Sequence, residues 1–171
     1  TAQQMYDTIK TMIIRGAPAI GIAGAQGVVL YAQEFAKENL SLDEFKTRLL
    51  EKTDYMASSR PTAVNLMWAC EQQRNIIKNT NTNIEDIIEK LTEKAVEIEN
   101  DDIERCKKIG DYGAEVVPKG ATILTHCNAG ALATGGYGTA LGVVRSAYDK
   151  DNTIQVFADE TRPRQQGARL T

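Results

Sequence analysis

The sequence predicts an α/β chain in which a helical N-terminal domain (1–117) leads into the start of a parallel-sheet domain (118–171). Two observations carry this. Apolar residues recur at helical spacing through the first 117 positions. From Ala121 the rhythm changes to strand, helix, strand, with the small-residue stretch ALATGGYG between the first strand and its helix. A composition of 42% hydrophobic and 25% charged residues is that of an ordinary globular chain. Its net charge of -3 and pI near 5.3 argue against a nucleic-acid partner gripped through phosphates. No apolar run reaches membrane-spanning length and no signal pattern opens the chain, so the expected setting is the cytoplasm, without a membrane partner.

Met5, Ile9, Met12 and Ile13 place a first helix within 1–14, broken at Arg15-Gly16-Ala17-Pro18. Proline suits the first position of a helix, and 19–37 then read as helical and strongly apolar. Gly21, Gly24 and Gly27 lower that helix's intrinsic propensity by about 1 kcal/mol each relative to alanine, so close packing must hold it. Ser41 with Glu44 is a capping box for the next helix, which ends near Ser58 and Ser59. Arg60-Pro61-Thr62 is expected to start another helix, and Asn83 to cap a long one whose far end Gly110, Gly113 and Pro118 punctuate.

Strands are expected over 121–126 and 153–158, joined by a helix over about 137–149; this is a parallel βαβ unit. The second strand empties into a polar loop from Asp159 to Gly167 at the sheet edge that also carries Cys127. A two-stranded parallel sheet is not a complete domain, and the chain opens without methionine, so truncation at both ends is expected.

Cys70, Cys106 and Cys127 are odd in number and widely spaced, and the chain has a single histidine, which predicts neither disulfide framework nor metal site. Cys70 and Cys106 fall in helical patterns and read as buried apolar groups. Cys127 follows a strand end and precedes a helix, where positive potential favours thiolate. On spacing alone two readings stand for it, a proton-transfer base and a packed strand-end cysteine. His126 is its sequence neighbour and would point to the opposite face of a continuing strand, which disfavours a Cys-His dyad. The only G-x-G, Gly136-Tyr137-Gly138, has Leu141 where a small residue is required, which disfavours a dinucleotide; a phosphate on the backbone N–H groups at the helix start stays open. Arg15 and Arg60 each precede an expected helix start, and with Arg162, Arg164 and Gln166 they form candidate anion ligands.

RGAPAIGIAGAQGV (15–28), RPTAVNLMWA (60–69), THCNAGALATGGYGTALGVVRSA (125–147) and ADETRPRQQGARLT (158–171), in that order, closely resemble the translation-initiation-factor-2B-like family, and within it the 5-methylthioribose-1-phosphate isomerases. The resemblance runs through nearly the whole chain. It implies a Rossmann-like C-terminal domain, an aldose-to-ketose isomerisation of a sugar phosphate in methionine salvage, no cofactor, no metal and a homodimer. It matches Cys127 to the catalytic cysteine, and Arg15, Gly16, Ala17, Arg60 and Gln166 to substrate-binding positions. The family's catalytic aspartate has no counterpart here and is expected beyond residue 171, so these 171 residues alone are expected to be inactive. Ribose-1,5-bisphosphate isomerases, which share the HCN and ETRP elements, and non-catalytic regulatory subunits are the alternatives within the same resemblance.

Overall fold

In the computed structural model of the protein, which describes residues 1–162 and 164–171, the chain forms two compact units, Thr1–Glu99 and Asn100–Thr171. The first unit holds α1 (Ala2–Lys10), α2 (Ala17–Phe35), α3 (Leu42–Ser58) and α4 (Val64–Asn79). Helix α5 (Ile84–Val116) contributes to both, its residues to Glu99 belonging to the first unit and those from Asn100 to the second. The second unit adds β1 (Thr122–Thr125), a 3-10 turn (Ala131–Ala133), α6 (Ala140–Lys150), β2 (Gln155–Ala158) and α7 (Gln166–Leu170). This is the expected order of a helical stretch followed by a βαβ unit. No helix among the described residues is long and apolar enough to cross a membrane.

Local chemistry accounts for the helix ends. Thr1 and Gln4 form a capping box on α1, which stops short of its expected end because Met12 takes a left-handed conformation with φ 64°. Pro18 lies in the first turn of α2, and Ser41 and Glu44 make the predicted capping box on α3. The Asn83 carboxamide oxygen accepts from the Asp86 N–H at 2.8 Å, capping α5 as expected. Arg60-Pro61-Thr62 does not start a helix. The Ala63 N–H donates to the Arg60 carbonyl at 2.9 Å, closing a turn with Pro61 at its second position, and α4 begins only at Val64. Proline's fixed φ suits that turn position as well as a helix start, and here the turn wins.

Phe45, Leu49, Met56, Leu66, Ile77 and Leu91 are fully buried in the core of the first unit. Gln73, equally buried, donates its amide to the carbonyls of Ala25 at 3.3 Å and Leu91 at 3.0 Å and so ties α2, α4 and α5 together. The glycines of α2 admit its neighbours. A Cβ on Gly24 would lie 2.4 Å from Leu66 Cδ1, one on Gly27 2.4 Å from Met56 Cε, and one on Gly21 3.0 Å from the Asn65 carbonyl oxygen.

In the second unit β1 and β2 pair in parallel, Thr122 opposite Gln155 and Thr125 opposite Ala158. The ladder extends one bond beyond each end, from the Gln155 N–H to the Ala121 carbonyl at 2.9 Å and from the Asp159 N–H to the Thr125 carbonyl at 3.0 Å. Helix α5 runs through Gly110 and Gly113 instead of fraying there. Both positions accommodate α6, since a Cβ on Gly113 would lie 2.4 Å from Val143 Cγ2 and one on Gly110 2.9 Å from the Gly142 carbonyl oxygen. Ala114, Ala147 and Ile154 form a small core, while Leu124 and Phe157 on the two strands are exposed. Asp151 fastens the turn before β1, accepting from the Gly120 N–H at 2.7 Å and from the Thr153 hydroxyl and N–H. These donors hold its carboxyl below the usual carboxylate range.

The α2 packing gives a direct test. Gly24→Ala gains about 1 kcal/mol of helix propensity but overpacks Leu66, a cost of about 1–3 kcal/mol, so net destabilisation is expected in chemical denaturation. Leu66→Ala alone should cost about 2–5 kcal/mol, and in that background Gly24→Ala should become neutral or stabilising. Additive losses in the double variant would show that Gly24 is not selected by Leu66.

Candidate active site

The candidate residues of the second unit gather where β1 and β2 end. The parallel register sets Thr125 opposite Ala158, so His126 and Asp159 leave the sheet side by side, and His126 Nδ1 lies 3.0 Å from Asp159 Oδ2. The strand stops at Thr125, so the alternation that would have set His126 and Cys127 on opposite faces does not continue. Cys127 instead enters a turn with φ 67° and is exposed. A left-handed conformation costs a non-glycine residue roughly 1–2 kcal/mol, and such residues collect at functional sites. Of the four among the described residues, Met12, Cys127, Thr161 and Gln165, three lie in the segments that follow the two strands.

The expectation that a helix N-terminus adjoins Cys127 is corrected. Helix α6 begins only at Ala140, and the intervening residues form a hydrogen-bonded loop. Thr134 Oγ1 accepts from the N–H groups of Gly136 at 3.3 Å and Gly138 at 3.0 Å, and Asp102 Oδ2 accepts from the Gly135 N–H at 2.6 Å. The Ala129 carbonyl takes the N–H groups of Thr139 and Leu141. The N–H groups of Gly135, Gly136, Gly138, Thr139 and Leu141 are thus answered within the protein.

The other side of the site is built by the segment after β2. Gly167 donates to the Glu160 carbonyl and to Thr161 Oγ1, both at 3.2 Å, and a Cβ there would fall 1.9 Å from the Asp159 carbonyl oxygen. Only glycine fits, and this fixes the start of α7, where half-buried Gln166 is the first residue. At the other end of α7, the Thr171 hydroxyl donates to the Cys127 carbonyl at 2.8 Å. The structure thus ties the Gln166 segment to Cys127. Arg162 and Arg164 are exposed, and Pro163 lies outside the described residues.

Arg15, Gly16, Ala17 and Arg60 belong to the first unit. Gly16 is the N-cap of α2 with φ 106°, a conformation open to glycine, and Ala17 is the first helical residue, so Arg15 immediately precedes a helix start as expected. Arg60 does not: it follows the C-cap of α3, Ser59, because of the Pro61 turn. The close approach of Gly21 to Asn65 brings the N-terminal ends of α2 and α4 together, which places the loops carrying Arg15 and Arg60 at the same end of that helix pair. Arg60 Nη1 is buried without a hydrogen-bond partner in the protein.

Three features escaped the sequence reading. The His126–Asp159 pair was legible in principle, since aligning the two strands in parallel sets their next residues together. The Asp102 contact to Gly135 and the unpartnered polar atoms of Thr125 and Asn128 are products of tertiary packing and leave no local signal. Among the described residues no group of three or more His, Cys, Asp or Glu side chains is placed to share a metal ion.

A model of the initiation factor 2 subunit family matches residues 13–171. The methylthioribose-1-phosphate isomerase of Geobacter sulfurreducens is 52% identical over 170 residues, covering 99% of this chain and 49% of that protein. That of Caldicellulosiruptor saccharolyticus is 50% identical over 172 residues, covering 100% and 49%. The chain thus spans about half the length of the curated relatives it matches. Among solved structures, 5-methylthioribose 1-phosphate isomerase from Pyrococcus horikoshii superposes with a TM-score of 0.88 at 38% identity, over 99% of this chain and 47% of that one. A structure described as translation initiation factor eIF-2B, subunit delta, from A. fulgidus gives a TM-score of 0.84 at 45% identity, over 99% and 49%.

Thiol chemistry separates the cysteines. Burial pushes the Cys70 thiol up to about 12, and burial together with the Asp102 carboxylate pushes that of Cys106 up, whereas Cys127 is exposed. Iodoacetamide at pH 8 should therefore alkylate Cys127 alone in the folded protein and all three cysteines in denaturant, and raising the pH to 9 should leave Cys70 protected. Native labelling of Cys70 or Cys106 at the rate of Cys127 would contradict this site.

Proposed function

The chain belongs to the initiation factor 2 subunit family, and from that premise we propose that it is part of an isomerase converting 5-methylthioribose 1-phosphate to 5-methylthioribulose 1-phosphate in methionine salvage. The observation that carries the reading is identity near 50% with methylthioribose-1-phosphate isomerases across essentially the whole chain, combined with an exposed cysteine in a left-handed turn at the carboxyl end of a parallel strand. Cytoplasmic residence is part of the proposal and accords with three free cysteines. So is a homodimer, which light scattering on the full-length protein would test.

The chemistry follows from the substrate. The phosphate on C1 prevents simple opening to an aldehyde. A base must take the proton from C2 while an acid protonates the ring oxygen and the C1–O bond breaks, giving an enol phosphate; reprotonation at C1 and loss of the C2 hydroxyl proton then give the ketone. The conversion is redox-neutral and calls for no electron-accepting cofactor. Cys127 is the proposed C2 base. Arg15, Arg60 and Gln166 are the proposed ligands of the phosphate, with Gly16 and Ala17 as further substrate-binding positions; a guanidinium N–H without a protein partner, as on Arg60, and the N–H groups at the start of α2 are suited donors.

Turnover of 5-methylthioribose 1-phosphate and of ribose 1,5-bisphosphate by the full-length protein decides among the family's activities. Preference for the first supports the proposal; preference for the second reassigns the substrate; turnover of neither favours the regulatory reading that the eIF-2B-described structure keeps in view. Cys127→Ser should lower kcat by about 10²–10⁴-fold with binding retained. Arg60→Ala should weaken binding by about 1.5–3 kcal/mol, and Arg60→Lys should restore only part of it if the fork geometry matters. Wild-type affinity in Arg60→Ala would remove Arg60 from the phosphate site.

A further inference from the structure

Six buried side-chain polar atoms lack a hydrogen-bond partner in the protein among the described residues, and three of them fall within four residues around Cys127: Thr125 Oγ1, Asn128 Nδ2 and Asn128 Oδ1. Asn128 is the sharper case, because both its donor and its acceptor are unanswered. Burying an amide without hydrogen bonds costs on the order of 1–3 kcal/mol in proteins, and native structures rarely tolerate this without a reason. Leucine or valine would fill the same space without that cost. The turn that begins at Cys127, where the backbone is left-handed and the carbonyl accepts from the Thr171 hydroxyl, leads directly into Asn128, which is part-buried as a residue.

We infer that Asn128 binds the oxygen on C2 of the sugar phosphate, the atom whose hydrogen-bonding character the reaction reverses. This rests on the isomerase reading above. In the aldose, the C2 oxygen is a hydroxyl that donates as well as accepts; in the ketose it is a carbonyl that can only accept. A group that answers the hydroxyl's proton first and the carbonyl oxygen afterwards has to offer an acceptor as well as a donor. A carboxylate offers only acceptors and an ammonium or guanidinium only donors, whereas a carboxamide presents one of each. Asn128 has both free and adjoins the residue proposed to take the C2 proton. It is therefore a binding residue that discriminates sugars by their C2 substituent.

The test uses the full-length protein with Asn128→Leu, which removes both polar atoms while keeping the branched shape and heavy-atom count, and Asn128→Ala, which cannot overpack. Thermal unfolding without ligand, kcat/KM for 5-methylthioribose 1-phosphate, and inhibition by ribose 1-phosphate and 2-deoxyribose 1-phosphate are measured. Wild type should bind ribose 1-phosphate about 10- to 100-fold more tightly than its 2-deoxy analogue, and both variants should lose that preference along with about 10- to 100-fold in kcat/KM. Asn128→Leu should keep or raise the ligand-free Tm. The inference is overturned if the variants keep the wild-type preference, if wild type has none, or if Asn128→Leu lowers the ligand-free Tm by several degrees, which would mean that protein or bound water already satisfies the amide. Wild type that neither turns over 5-methylthioribose 1-phosphate nor binds ribose 1-phosphate overturns the isomerase reading and the inference with it; an active wild type with indifferent Asn128 variants overturns the inference alone.

Discussion

The parallel pairing of Thr122–Thr125 with Gln155–Ala158 decides where every candidate group of the second unit emerges. A slip of one residue would turn each strand's side chains to the opposite face and would part His126 from Asp159. The register is held outside the strands as well as within them. Asp151 clamps the Gly120 turn at one end, and the Asp159 N–H donates to the Thr125 carbonyl at the other. Because the ladder closes on that last bond, the loops carrying Cys127 and Gln166 start from neighbouring points.

Small residues then fix the rest at backbone distance. Gly110 and Gly113 let α6 lie against α5, and Gly167 lets the start of α7 fold back over the Asp159 carbonyl. In the loop between β1 and α6, Asp102 and Thr134 take the N–H groups of Gly135, Gly136 and Gly138. In the first unit, the loops carrying Arg15 and Arg60 lie at one end of the α2–α4 pair through the close approach of Gly21 to Asn65.

Much of this was legible in the residues. The Ser41-Glu44 box, the Asn83 cap, Pro18 in the first turn of α2 and the strand-helix-strand rhythm after Ala121 are local signals, and local chemistry decided them. The glycines of α2 signalled close packing through their cost, though not which neighbour they admit. The failures have a common form. Pro61 fits both a turn and a helix start, and its flanking residues do not choose between them. The loop that delays α6 to Ala140 and the left-handed turn at Cys127 are both bonded to residues far away in sequence, Asp102 to Gly135 and Thr171 to Cys127. Periodicity carries no information about such contacts, and the site's finest features depend on them.

The central claim is that the sulfur of Cys127 moves a proton at C2 of a sugar phosphate. The most direct measurement is the fate of deuterium placed at C2 of 5-methylthioribose 1-phosphate during turnover by the full-length protein in ordinary water, read by NMR of the product. A thiol base that exchanges with solvent predicts that the label is lost, at least in part, from C1 of the ketose and that Cys127→Ser abolishes the loss. Complete retention of deuterium at C1 would mean direct hydride migration and would contradict the role given to Cys127.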